Sequence, residues 1–180
     1  MGCIGMAQFL WLGLLKHNAH LLHIPLHSQR FRVMLKLFPP TIIHYSDDIP
    51  DGVGGYAKLF YARIRTKYEG TDLGILMHEL LHVRQFYILL LAWLALCFAG
   101  VLLAPEYSMY GYSIMPLGLL VHPLLYTFVT EYKLDCEVAC YQEQALHYPD
   151  DRLPRFAGYI SKSYGLTISE EDALKLLREK

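Results

Sequence analysis

The chain has 180 residues, of which 54% are hydrophobic and 18% charged, and its formal net charge is −1. That length suits one compact domain, and a near-neutral balance argues against a protein that grips nucleic acid by neutralising phosphates. The composition is oilier than that of an ordinary soluble domain, so membrane contact becomes an expectation at once.

Residues 4–15 are apolar, but no basic residue precedes them and no small-x-small site follows, so they do not read as a secretory signal. Residues 8–22 predict an apolar helix. His17, His20, His23 and His27 recur at helical spacing; Pro25 interrupts them and no carboxylate is near in sequence, so they read as polar-face or interfacial histidines. Pro25 and Pro39-Pro40 bracket a basic segment with Arg30, Arg32 and Lys36. These cations, with Lys58, Arg63, Arg65 and Lys67, read as solvated surface. Residues 41–45 are short and β-branched, a strand. Residues 46–55 form a turn-rich loop. Residues 57–67 alternate Phe60, Ala62 and Ile64 with Tyr61, Arg63 and Arg65, the pattern of a strand with one buried face.

Thr71 or Asp72 then offers a helix N-cap, and no proline follows before Pro105. Residues 88–104 are uncharged. A loop at 105–113 turns the chain, and residues 114–129 are apolar again, with Pro116 and Pro123 inside. Residues 126–147 read as helix. Asp150 or Asp151 caps another short helix, and Ser169 with Asp172 starts the last one, through Arg178.

One motif carries chemistry. Residues 78–82 read His-Glu-Leu-Leu-His. On a helix, positions i and i+4 share a face, so His78 and His82 can reach one ion. Glu79 sits one position round, close enough to touch a water on that ion. Zinc lowers the pKa of such a water, and a carboxylate can then take its proton. A zinc site of this kind needs a third protein ligand, and residues 130–144 are the one acid-rich helical stretch downstream. With Leu134, Val138, Tyr141 and Ala145 as the apolar stripe, Glu131 and Glu137 flank it about equally, so helical periodicity leaves both open. Glu131 would bring Asp135, one turn on, as a partner orienting a ligand histidine. Cys136 and Cys140 are also i, i+4, and with the two histidines would make a closed structural zinc site. That arrangement turns the oily stripe outward, because Cys136 lies opposite it. Tyr141, Tyr126, His122 and Arg84 are candidate hydrogen-bond donors to an oxyanion.

The strand followed by HELLH resembles the zincin metallopeptidases whose third zinc ligand is a glutamate. More narrowly, HELLHVRQ, YKLDCEVACY and SYGLTISEEDALKLL resemble a group of small bacterial and phage zincin-like proteins over about the last two-thirds of the chain. The resemblance implies His78, His82 and Glu137 as zinc ligands, Glu79 as general base, and an edge strand that binds an extended substrate. The chain departs from that group's pattern at Lys133, where it has arginine, and at Ala139 and Cys140, where it has glutamate and alanine.

Residues 88–104 and 114–129 each come close to the ~20 apolar residues that span a bilayer. The loop between them lacks Lys and Arg, whereas Arg84 and Lys133 flank the outer ends. That pattern predicts an apolar hairpin, about 88–129, with both ends on the cytoplasmic side and the metal motif at the membrane surface or, if the hairpin is buried, in the cytoplasm. The expectation is therefore one α+β, mostly helical, zincin-like domain over residues 1–180, with a short N-terminal sheet, a long motif helix and this hairpin. Its expected function is zinc-dependent hydrolysis of a peptide or protein substrate, with no nucleic-acid partner. The alternative expectation is a zinc-stabilised, non-catalytic membrane-associated protein.

Overall fold

A computed structural model describes residues 21–24, 32–37 and 39–179. Cys3, Arg30, His17, His20, His27 and most of the helix expected at 8–22 lie outside them. Leu21 and Leu22, expected at the end of that helix, belong instead to a strand. The fold is α+β and mostly helical.

Among the described residues five strands come first: β1 (Leu21–Ile24), β2 (Arg32–Leu37), β3 (Pro40–Tyr45), β4 (Gly55–Lys58) and β5 (Tyr61–Ile64). They form one sheet in the order β1-β2-β3-β5-β4. Only the β3–β5 pairing is parallel. The strand expected at 57–67 is thus two strands. Ala62 and Ile64 do face the core, but Phe60 sits in the tight turn and is 45% exposed. Leu59 makes that turn at a φ of 54°, a conformation that costs a non-glycine residue about 1 kcal/mol or more. No glycine or asparagine marks the turn in the sequence.

The long helix α1 (Leu73–Leu103) begins at Asp72, whose carboxylate accepts from the Ile75 amide at 3.1 Å. Its first turns pack beneath the sheet, where Ile43, Tyr45, Ile64 and Leu80 form one core. Its later turns carry the hairpin. The returning limb is not one continuous helix: α2 (Ser108–Ile114) and α3 (Gly118–Phe128) are joined by a 3-10 turn at Met115–Leu117. Gly118 lets α3 meet α1, because a Cβ there would lie 2.6 Å from the Trp93 ring.

The helix expected at 126–147 breaks at Val129, which is extended. From there α4 (Thr130–Ala145) departs at 95° to the preceding limb and crosses α1. Finally α5 (Leu153–Ser163) and α6 (Glu170–Arg178) close a second core on α4, built on Tyr141, Phe156, Ile160 and Leu177. Ser169 caps α6 as expected, accepting from the Asp172 amide. Asp151 accepts from the Leu153 amide at the start of α5.

α4 therefore has two buried faces. The stripe Leu134, Val138 and Ala145 meets the α5–α6 pair. A second face, with Cys136, Glu137, Cys140 and Gln144, is buried where α4 crosses α1. Reading a single stripe is what left the third ligand open, and the argument that Cys136 must point away from the packed surface fails for the same reason.

Candidate metal centre

The helical spacing puts His78 and His82 on the buried side of α1, with ring centroids 5.0 Å apart. α4 brings Glu137 between them. Its Oε2 lies 3.7 Å from His78 Nε2 and its Oε1 3.4 Å from His82 Nε2. The carboxylate is fully buried, at 0% exposure, a condition that carboxylates tolerate only when paired or bound to a cation. Glu131 and Asp135 are both exposed, on the side of α4 away from the histidines. The alternative of Glu131 as ligand with Asp135 behind it is thereby corrected: α4 would have to rotate and expel its buried face to present them.

Cys140, one turn beyond Glu137, is the other donor within reach. One nitrogen of each histidine and Cys140 Sγ all lie within 4.8 Å of one another. Gln85 bridges the two residues: its Oε1 is 3.1 Å from His82 Nδ1 and 3.9 Å from Cys140 Sγ, while His82 Nε2 lies 3.4 Å from Glu137 Oε1. Burial pushes the Cys140 thiol up to about 12, with His82 acting in the other direction. Glu137 and Cys140 are therefore both placed to join the two histidines, Glu137 within 4 Å of each of them and Cys140 within the same small cluster. Cys136 is not part of the cluster; its carbonyl accepts from Gln85 Nε2 at 3.2 Å.

Electrostatics follow from this burial. His78 is held down at about 3, first by desolvation and then by His82, so it stays neutral with a free lone pair. Burial would raise Glu137, but His82 overrides it and keeps the carboxylate low. Glu79 is pushed up to about 8 by burial, with Glu137 adding to the effect.

The donor set fits a divalent cation such as zinc. Two imidazoles and a carboxylate are the ligands of an open, catalytic-type site. Glu137 Oε2 and Glu79 Oε2 are buried with no hydrogen-bond partner, which native structures rarely tolerate without a cation or water.

Other residues support the cluster. Tyr126, on α3, donates a short hydrogen bond to Glu137 Oε1. The Tyr141 ring packs edge-on against His78 at 4.5 Å, but its hydroxyl is shared with that of Tyr164 at 2.8 Å. His122 bonds the Tyr132 hydroxyl at 2.7 Å and lines the cavity beside the motif without touching Glu137. Arg84 lines neither neighbouring cavity; its electrostatic neighbour is Glu143, so it is not placed to meet an oxyanion.

Sequence reasoning missed three contributors. Tyr164 lines the cavities on both sides of the motif, and its carbonyl is held by Lys133 Nζ at 2.7 Å. Gly55 brings β4 over Glu79, because a Cβ there would lie 2.9 Å from the Arg63 carbonyl and 3.0 Å from Glu79 Oε1. Arg65 pins the loop leading into β4 by donating to the carbonyls of Val53, Ile49 and Pro50. The glycine pair at 54–55 was a visible signal; the reach of Tyr164 across the chain had none.

Comparison with protein-family models, curated proteins and solved structures found no match, so the site's reading rests on its own chemistry.

Proposed function

We propose that this chain is a zinc-dependent peptidase in which His78, His82 and Glu137 hold the metal and Glu79 acts as general base. The observation that carries the reading is the buried Glu137 carboxylate within 4 Å of both motif histidines, with Glu79 beside them and unpartnered. Zinc in such a site acidifies a water and polarises a carbonyl. Glu79 accepts the water's proton at its free Oε2 and delivers it to the leaving amine. Tyr126 fixes the orientation of Glu137. β4 is the last strand of the sheet, with its outer edge unpaired among the described residues. That edge passes over Glu79 and suits an extended peptide added as a further strand. Tyr141 and Tyr164, whose hydroxyls share one hydrogen bond beside the motif, are the candidate donors to a developing oxyanion.

The same proposal places the hairpin in a membrane. α1 is long and apolar enough to cross one. Leu91, Leu96, Phe98, Leu102, Leu103 and Phe128 are all exposed, and large exposed apolar surfaces mark membrane or protein contacts. The cytoplasmic side is the face proposed for the centre, from the flanking Arg84 and Lys133.

The test is Glu79→Gln. Zinc should be retained and peptide hydrolysis should fall about 10²–10⁴-fold, the usual worth of a general base. Unchanged hydrolysis would remove Glu79 from the mechanism.

A second reading is favoured by the nearness of Cys140: a closed, structural zinc site in a non-catalytic membrane protein. It expects zinc removal to unfold the chain and Glu79→Gln to have no consequence.

A further inference from the structure

Two cavities meet at the motif, one mainly apolar and the other more polar. Both are lined by Gly55, Tyr56, His78, Glu79 and Tyr164. One, of about 720 Å³, continues along Ala57, Leu59, Leu119, Leu120 and Pro123. Leu119 and Leu120 are half exposed and run on into Leu124 and Phe128, the outer face of the hairpin. The other cavity, of about 670 Å³, continues along Asp51, Asp72, Arg152 and Arg155. Charges of both signs line it beside the rings of Tyr148, Phe156 and Tyr159, so it offers hydrophilic residues partners that the first cavity lacks, without favouring one sign. Arg155 is exposed and pairs with no carboxylate among the described residues.

β4 joins the two. Its first residues, Gly55 and Tyr56, border both; the segment just before it, Gly52 to Gly54, borders only the polar cavity, and its last residues, Ala57 and Lys58, border only the apolar one. A peptide added antiparallel to β4, the more stable pairing, would start beside the apolar cavity and end beside the polar one. We infer that the substrate is a segment emerging from a bilayer: apolar residues on the N-terminal side of the cut and hydrophilic residues on the C-terminal side. This rests on the peptidase reading and adds the polarity and direction of the substrate.

The test uses the full chain, zinc-loaded and reconstituted in phosphatidylcholine nanodiscs, with three fluorescently labelled peptides of equal length. One carries a Leu/Ala/Phe block followed by a Ser/Gln/Lys/Glu block, one has the blocks reversed, and one is hydrophilic throughout. The first two have the same composition and hence similar lipid affinity, so order alone separates them. Cleavage is read by mass spectrometry, and binding by anisotropy on the Glu79→Gln chain, which needs no turnover. The expected result is cutting at the block junction, with the forward peptide cut and bound on the order of tenfold or more better than either other peptide, the effect of burying one or two apolar side chains. Leu120→Lys should shrink that ratio. Equal cutting of all three, or preference for the reversed order, overturns this inference and leaves the peptidase reading intact. Preferential binding of the forward peptide with no cutting supports the two-sided cleft and overturns the peptidase reading. Neither cutting nor binding overturns both.

Discussion

Phe86 and Phe98 stand on the same helix, yet Phe86 is 1% exposed and Phe98 is 55% exposed. The first half of α1 lies under the sheet and against α4, and there Gly74, His78, Glu79, Leu80, Val83, Gln85 and Phe86 are all buried. Beyond Phe86 only Cys97 and Val101 are buried on α1. The oilier half is the exposed one: His78, Glu79, His82, Arg84 and Gln85 all lie in the first half, and residues 88–103 carry no charge. What also separates them is what packs against each: a sheet and two helices on one side, and on the other a short, broken limb that covers a single face. The buried half can therefore hold polar groups in fixed positions, and the exposed half presents an uncovered apolar surface.

The largest effect that would break this contrast lies in the core. Phe86→Ala should cost about 3–5 kcal/mol in denaturant unfolding in detergent. Phe98→Ala should cost within about 0.5 kcal/mol. Equal costs would mean the hairpin is packed like the core.

Next comes the environment of the oily half. Leu96, 67% exposed, sits midway along that half. Leu96→Arg should weaken membrane insertion by about 2.5–3.5 kcal/mol, measured as the share of protein that floats with liposomes. An unchanged distribution would take the hairpin out of the bilayer.

A smaller effect links the two regions. Tyr126 belongs to the hairpin, and its hydroxyl holds Glu137. Tyr126→Phe should lower zinc affinity about 10–100-fold, as loss of a hydrogen bond behind a metal ligand does, with little change in unfolding. The readout is competition with a chromogenic chelator. No change would show that α4 alone places the carboxylate.

Much of this was legible from local pattern. The motif helix and its Asp72 cap, the β3 strand, the Ser169 cap and the apolar stretches follow from spacing and residue type. What escaped depended on distant partners or on unmarked breaks. Leu59 turns the chain without a turn residue. Val129 breaks a helix with only β-branching as a hint. Glu137 and Glu131 look alike on a helical wheel because the wheel shows one apolar stripe. α4 has a second buried face, where Cys136 and Cys140 act as small apolar residues. Treating those cysteines as core would have selected Glu137.

The central claim is that Glu137 completes the centre. Zinc per chain, measured after metal supply on wild type, Glu137→Ala, Glu131→Ala and Cys140→Ala side by side, tests it most directly. The account predicts one zinc in the wild type and in the Glu131 and Cys140 variants, and none in Glu137→Ala. Zinc kept by Glu137→Ala and lost from Cys140→Ala would contradict it and make the centre a His78–His82–Cys140 site.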